Sequence, residues 1–334
     1  MVLNETSTHR LVHERVWRSA RRTAVAGLHT LTFQAMSTHC QVKLRTADAN
    51  VAADFQNEVL DWVAWFEAKY SRFLEDSLIS RINAAAGEHW VEIDAETDAL
   101  FTLCQEMIFF TRGVFDPTAL PLMKLWNWKA QPPVVPSPES VRTARELVGW
   151  SKVERRPGGI FLPRPGMMLD LGGIGKEYAV DRVLTMGVER GVQHLLVDFG
   201  QDVRVYGRPP DQEAWVIGLE DPHQPGKCWT AVRVNNHAVA TSGDYVRHFV
   251  LEGRRFGHII DPRTGYPVDN GVLSVSVVAP HCTFAGILST SAFVLGPREG
   301  LEMMSLCPGV EGALIANNNR FQSKGFNRYA NQTK

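Results

Sequence analysis

The order of hydrophobic patterns predicts an α+β fold of two lobes sharing one interface. Apolar residues recur at helical spacing through much of the first half of the chain, and short strand-like runs dominate from Val153 onward. No interval resembles a flexible linker long enough to separate independent domains, and no internal repeat is found. With 334 residues, 44% hydrophobic and 21% charged, the chain is sized for one large or two closely packed domains.

Residues 1–30 are expected to be a solvated basic extension with some helix, carrying Arg10, Arg15, Arg18, Arg21 and Arg22, ahead of a folded domain over 31–328. Gly27, His29 and Thr30 break the apolar run that starts at Thr23 before it reaches the roughly 7–15 residues of a secretory signal core. Export through Arg21-Arg22 is the lesser alternative to a cytoplasmic location, and no membrane span is expected.

Residues 40–44 alternate as a strand and feed an amphipathic helix marked by Phe55, Val59, Trp62, Val63 and Phe66. Asp94-Ala-Glu-Thr97 opens another helix, its acidic first turn suiting the positive end of the helix dipole, and Gly113 closes it. The segment 131–138 reads as an extended proline-rich loop, with Ser137 and Pro138 starting a helix over 139–148. Strands are then expected at 160–162, 167–169, 195–197, 203–206, 214–219, 231–234, 248–251 and 273–278. Helices are expected over about 173–190 and 284–294.

Lys+Arg 35 against Asp+Glu 36 leaves a net charge of -1, too little field to gather a polyanion, so nucleic acid is not an expected partner. The cysteines Cys40, Cys104, Cys228, Cys282 and Cys307 include no C-x-x-C pair and are expected to be reduced, small buried hydrophobes.

Six segments carry chemistry. Leu169-Asp-Leu-Gly-Gly-Ile-Gly-Lys-Glu-Tyr-Ala-Val-Asp181 leads a strand into a helix through glycines that admit a phosphate to the backbone, and Lys176 adds a full charge. A plain tight turn is the alternative. Val197-Asp-Phe-Gly-Gln-Asp202 and Ala240-Thr-Ser-Gly-Asp-Tyr245 gather polar groups at strand ends, where turn chemistry alone also uses them. In His258-Ile-Ile-Asp-Pro-Arg-Thr-Gly265 the histidine is a general base or a structural residue, and Asp261 and Arg263 form a pair that stiffens the loop. Finally, Ser71-Arg-Phe-Leu-Glu-Asp-Ser77 and Gly113-Val-Phe-Asp-Pro-Thr118 set an aromatic beside polar turn residues, either to stack on a flat ring or to anchor a loop.

In this order, together with Phe33-Gln-Ala-Met-Ser-Thr38, Leu125-Trp126 and the late helix ending at Leu295-Gly296, the segments resemble the ApbE family of FAD:protein FMN transferases. The resemblance spans most of the chain. It implies a two-lobed α/β architecture with mixed and antiparallel sheets and FAD in the cleft between lobes. With magnesium, such enzymes cleave the FAD pyrophosphate, pass FMN to a threonine or serine hydroxyl of a target flavoprotein and release AMP. The resemblance also admits two alternatives: a protein that binds FAD without transfer or with altered chemistry, and a hydrolase giving FMN and AMP.

Carried over by position, the resemblance places Met36 at the flavin, Phe73 at an aromatic contact, and Phe115, Asp116 and Pro117 along the nucleotide. Lys176, Glu177, Ser242, Gly243 and Ile259 join the cofactor-binding set, and His258, Lys176 and Asp244 form the catalytic set, His258 taking the acceptor hydroxyl's proton. Magnesium would be held by the Gly175 carbonyl, by Thr290 and by an aspartate at the position of Gly286. That glycine is one departure from the pattern; Gln201 replaces a glycine, and so does Glu177. Mg²⁺ requires oxygen ligands, and Gly286 strips the set of its only side-chain negative charge. Three outcomes stay open: FAD phosphates and Thr290 hold the magnesium with Glu177 or Asp244 supplying charge from elsewhere, a different reaction replaces the old one, or FAD is bound without being cleaved.

Overall fold

The computed structural model describes residues 7–209, 212–244 and 247–330. The basic amino-terminal segment folds onto the body. Helix α1 (Ser7–Ser19) buries Val12 and Val16, and strands β1 (Arg21–Val25), β2 (Leu28–Ala35) and β3 (Thr38–Arg45) follow as an antiparallel meander. The expectation of a solvated extension is thereby corrected for the helix it included, because α1 carries an apolar stripe as well as arginines. β1 is exposed along its whole length, and its arginines keep a sheet edge charged against unwanted pairing.

Helix α2 (Ala49–Tyr70) starts where the Asp48 carboxylate accepts the free N–H groups of Asn50 and Val51, and it buries Phe55, Val59, Val63 and Phe66 on one face. Ser77 caps α3 (Leu78–Ala84); after β4 (Val91–Glu92), Asp94 caps α4 (Ala95–Phe110) through Thr97. Asp116 caps a short turn leading into α5 (Leu120–Leu125), and Ser137 caps α6 (Pro138–Glu146). Strands β5 (Glu154–Arg156) and β6 (Gly159–Phe161) pair with β4 in a small sheet.

The strand expected at 167–169 is absent. The Asn83 side chain donates to the Leu169 carbonyl at 3.0 Å and accepts the Leu169 N–H at 2.6 Å, so a side-chain amide takes the bonds a neighbouring strand would have supplied.

Then come α7 (Gly175–Glu189), β7 (Leu195–Phe199), β8 (Asp202–Tyr206), the ribbon β9 (Trp215–Glu220) and β10 (Cys228–Val234), and β11 (Ala238–Gly243). Two hairpins, β12 (His248–Leu251) with β13 (Arg254–Gly257) and β14 (Ile260–Asp261) with β15 (Tyr266–Pro267), precede β16 (Val272–Ala279). The chain continues through α8 (Cys282–Leu295), α9 (Pro297–Ser305), β17 (Glu311–Ala316) and β18 (Asn319–Gln322).

One nine-stranded sheet, ordered β1-β2-β3-β7-β8-β11-β16-β17-β18, organises the molecule, and every pairing within it is antiparallel. α7 and α8 cover one face, while Trp215, Leu219, Val232 and Val234 of the β9–β10 ribbon pack on Val203, Val205, Val239 and Val278 of the other. Coverage on both faces explains why β7 and β16 read as nearly continuous apolar runs rather than alternating ones. A separate cluster of Leu122, Trp126, Val141, Val148, Phe249 and Phe256 joins α5 and α6 to the β12–β13 hairpin. Four cysteines are buried free thiols as expected; Cys228 is an exposed one. No helix among the described residues is long and apolar enough to cross a membrane.

Candidate functional site

The glycine segment before α7 is shaped by its first residue. Asp170 accepts the Gly172 N–H at 3.1 Å, pairs with Arg72 at 3.1 Å, and donates its own N–H to the Pro117 carbonyl at 2.8 Å. That bond draws the Phe115-Asp116-Pro117 segment alongside. A Cβ at exposed Gly173 would stand 3.7 Å from the Phe115 ring. Asp116 spends its oxygens on local backbone, accepting from Thr118 and from the Trp150 N–H at 3.1 Å, and burial raises its pKa.

At the start of α7, Lys176 lies between two carboxylates. Its ammonium bonds Asp202, the first residue of β8, and stands 3.5 Å from Glu177 Oε1. Burial pushes the Asp202 carboxyl up to about 7 against the pull of Lys176, and the Glu177 charge adds to the rise. Burial alone would discharge the lysine, yet Glu177 and Asp202 hold it charged beyond its ordinary range. With one ammonium for two carboxyl groups, the second is balanced either by a proton, which the raised Asp202 accepts, or by a further cation. Glu177 is 7% exposed, and its Oε2 is buried with no hydrogen-bond partner among the described residues.

Helix α8 faces this cluster. A Cβ built on Gly286 would meet Glu177 Cγ at 2.5 Å and Oε1 at 3.1 Å, so the Glu177 side chain fills the space a residue at 286 would use. The contact is held in place by Asp181, one turn further along α7. Its carboxylate accepts the N–H groups of Cys282 and Thr283 at 2.8 Å each, capping α8, while Arg204 pairs with it at 2.9 Å.

One turn beyond Gly286, a run of hydroxyls links α8 to the end of β11. Ser289 donates to the Gly286 carbonyl at 2.9 Å, and the Ser242 hydroxyl lies 2.8 Å from both Ser289 and Thr290. Each hydroxyl has one proton. Ser289 has used its own, so Ser242 donates to Ser289 and Thr290 donates to Ser242, which leaves the Thr290 oxygen lone pairs outside this chain of bonds. Gly286 and Thr290, four residues apart, share the face that Glu177 approaches.

The third element is the hairpin region carrying His258. The His258 Nδ1 lies 3.2 Å from the Arg247 carbonyl, which only accepts; Nδ1 therefore carries the proton and Nε2 keeps its lone pair. Burial and the neighbouring Arg247 and Arg255 charges push the imidazole pKa down to about 4, so the ring is neutral at pH 7. Asp244 is buried, pairs with Arg255 at 2.7 Å and packs on Gly257, and burial raises its pKa. This carboxylate ties the end of β11 to the β13 hairpin. Gly243 precedes it, and Tyr245 of the same motif lies outside the described residues. The Trp126 indole N–H donates to the Gly265 carbonyl at 2.8 Å, and the Arg263 guanidinium grips Asp261 at 2.9 Å, stiffening the loop as its spacing implied. Ile259 is buried beneath it.

Met36 heads a tight turn between β2 and β3 in which Met36 and Ser37 both have positive φ, 50° and 59°, and its N–H is held by Glu67 at 2.9 Å. The Phe73 ring is 75% exposed with the Arg72 guanidinium 4.1 Å from its centre, so it stands free of the core rather than anchoring a loop. A cleft of about 480 Å³, lined in part by Gly113, Asp116, Arg142, Arg145, Lys152 and Arg263, opens between the Phe115-Asp116-Pro117 and His258–Gly265 segments, with four basic residues on its walls.

The structure thus brings Gly175, Lys176, Glu177, Ser242, Gly286 and Thr290 into one cluster, with Asp202 as a member to which the sequence had assigned no role. Residues 36–314 match the family model for ApbE. The chain belongs to the ApbE family. Among relatives of ApbE type, the FAD:protein FMN transferase of Treponema pallidum is 32% identical over 301 residues, covering 84% of this chain and 82% of that protein. The ApbE protein of Thermotoga maritima superposes with a TM-score of 0.82 at 30% identity, covering 90% of this chain and 99% of that one. The flavin transferase ApbE of Vibrio cholerae gives 0.80 at 25% identity, covering 93% and 99%. The α+β architecture is therefore that of ApbE, and the helix-covered antiparallel sheet places the cluster at the α7 start.

Further supports were not read from the sequence. Glu67 and Arg255 position other members without belonging to any quoted motif, and Asp181, which ends the glycine-rich motif, was given no role of its own; its part lies in a contact distant in sequence, with Cys282. Asp202 had a local signal, ending the quoted segment directly after the turn residue Gln201.

Proposed function

We propose that this chain is an FAD:protein FMN transferase that moves FMN from FAD to a serine or threonine hydroxyl of a target flavoprotein and releases AMP. The observation that carries the reading is the convergence of Lys176, Thr290 and Ser242 at the glycine-rich start of α7. Exposed Gly172 and Gly173 with the α7 amino terminus suit a pyrophosphate, since backbone N–H groups and the helix dipole favour negative charge there. Lys176 adds its charge on the same turn. Met36 and Phe73 are the flavin contacts in this reading, with Phe115, Asp116, Pro117, Gly243 and Ile259 along the nucleotide.

His258 supplies the base. Its unprotonated Nε2 takes the acceptor hydroxyl's proton as that oxygen bonds to the FMN phosphorus, and the phosphorus–oxygen bond to AMP breaks, its electron pair leaving with AMP. Asp244 acts by positioning, through Arg255 and Gly257, the hairpin that leads into His258. A divalent cation fits the donor set: the buried Glu177 Oε2 has no hydrogen-bond partner among the described residues, and the Thr290 lone pairs are spare, with the Gly175 carbonyl nearby in α7. When bound, Mg²⁺ supplies charge neutralisation at the phosphates.

The test is to mix the protein with FAD, Mg²⁺ and an FMN-accepting flavoprotein fragment and to follow fluorescent covalent adduct and free AMP. Both products are expected. AMP with free FMN and no adduct would make the protein a hydrolase, and retained FAD with neither product would make it a binding protein.

A further inference from the structure

The resemblance implies a carboxylate at position 286 of α8 and a glycine at position 177 of α7, and this chain has Gly286 and Glu177 instead. The two positions touch. The Glu177 side chain occupies the volume a Cβ at 286 would need, with Cγ only 2.5 Å from that point. A carboxylate on either helix reaches the same space, and both positions cannot carry a side chain together unless Glu177 leaves the conformation it holds here.

We propose that Glu177 is the carboxylate ligand of a divalent cation seated between α7 and α8, having exchanged that task with position 286. This rests on the functional reading above only for the identity of the anion the cation meets. The buried, unpartnered Oε2 is one support, because leaving a carboxylate oxygen buried and unbonded is costly. The excess of carboxylates over ammonium in the Lys176, Glu177 and Asp202 cluster is a second. The spare lone pairs of Thr290, on the face of α8 that Glu177 approaches, are a third. Mg²⁺ keeps waters and takes one or two carboxylates plus substrate phosphates, so one carboxylate with one hydroxyl is a sufficient protein share of its shell.

The exchange predicts how variants behave. Gly286→Asp alone crowds Glu177 and does not improve metal binding, whereas Glu177→Gly combined with Gly286→Asp recreates the site from the other helix. Glu177→Gln keeps the shape and removes the charge.

The experiment titrates Mn²⁺, as a paramagnetic stand-in for Mg²⁺, into the full chain with and without FAD, reading free Mn²⁺ by electron spin resonance and FAD binding by flavin fluorescence. The expected result is saturable binding to the wild type, at least tenfold weaker binding to Glu177→Gln, and recovery in the double variant. Unaltered Mn²⁺ affinity in Glu177→Gln, or no binding to the wild type in either condition, overturns the proposal. So does a folded double variant, judged by circular dichroism, that fails to recover. Loss of FAD binding in the wild type would count against the transferase reading instead, and the titration without FAD would still decide the role of Glu177.

Discussion

Asp181→Ala removes the carboxylate that joins α7, α8 and β8, and its cost follows from three bonds. The Cys282 and Thr283 N–H groups, both on buried residues, lose the acceptor they share, at a cost typical of a lost helix cap, about 1–2 kcal/mol. The Arg204 side chain, 15% exposed, is left without the 2.9 Å partner it now has. Breaking a buried pair costs up to about 3–5 kcal/mol, and the residual exposure here lowers that to roughly 2. The sum is about 3–4 kcal/mol. With an unfolding entropy near 2.1 cal/mol/K per residue, a chain of this length has about 0.7 kcal/mol/K, so the melting temperature falls by roughly 5 °C. Calorimetry gives the shift, and amide hydrogen exchange locates it: the Cys282 and Thr283 amides exchange faster in the variant than in the wild type. If those two amides keep wild-type protection, or the melting temperature moves by less than about 1 °C, Asp181 does not cap α8 and the reasoning fails.

Two further outcomes follow from the geometry. His258, depressed to about 4 from its ordinary 6.5, binds its proton more readily in the unfolded chain, so it destabilises the fold as pH drops from 6.5 towards 4 and contributes nothing above that window. The acid limb of kcat/KM then falls near pH 4, and carbon-13 NMR of the His258 ring, assigned with a His258→Asn variant, reports the same titration; a value of 6 or above refutes the account. Trp126→Phe keeps the ring stacked on Phe256 but strips the Gly265 carbonyl of its 2.8 Å donor. The expected cost is about 1–2 kcal/mol in urea unfolding, and an unchanged midpoint at unchanged slope would show that the bond contributes nothing.

Much of the scaffold was legible because its elements announce themselves locally. Phe55, Val59, Val63 and Phe66 mark α2 by spacing, Asp94 and Ser137 mark helix starts, and the β-branched runs of β7 and β16 mark buried strands. Residues 167–169 show the limit. Their apolar character favours an extended backbone, but sequence spacing does not reveal whether a strand or, as here, the Asn83 side chain completes the bonds. The amino-terminal arginines misled in the other direction, since charge on one side of α1 obscured the pair Val12 and Val16 on the other. At the site, each motif was readable but its partners were not. Glu177 and Gly286 were visible as separate departures, and only the antiparallel approach of α7 and α8 shows them to be one change. Asp244 was expected to help replace the missing charge; its carboxylate is instead committed to Arg255 and packed on Gly257.

The strained backbone of the two neighbouring hairpin turns bears on the same cluster. Met36 and Ser37 between β2 and β3, and Gln201 beside Gly200 between β7 and β8, all have positive φ, at 50°, 59°, 72° and 66° for Gly200. For the three non-glycine residues this costs on the order of 1 kcal/mol each. The turns are adjacent because β3 pairs with β7, and the Gly200 N–H donates to the His39 carbonyl at 2.9 Å. Each strained turn is tied by a carboxylate: Glu67 accepts the Met36 N–H, and Asp198 accepts the Gln201 N–H at 2.8 Å. The residue that follows Gln201 is Asp202, so a relaxed, wider turn there would swing its carboxylate away from Lys176. The strain therefore has a structural consequence at the α7 start: it sets the first residue of β8 where its carboxylate holds the lysine beside Glu177 Oε1.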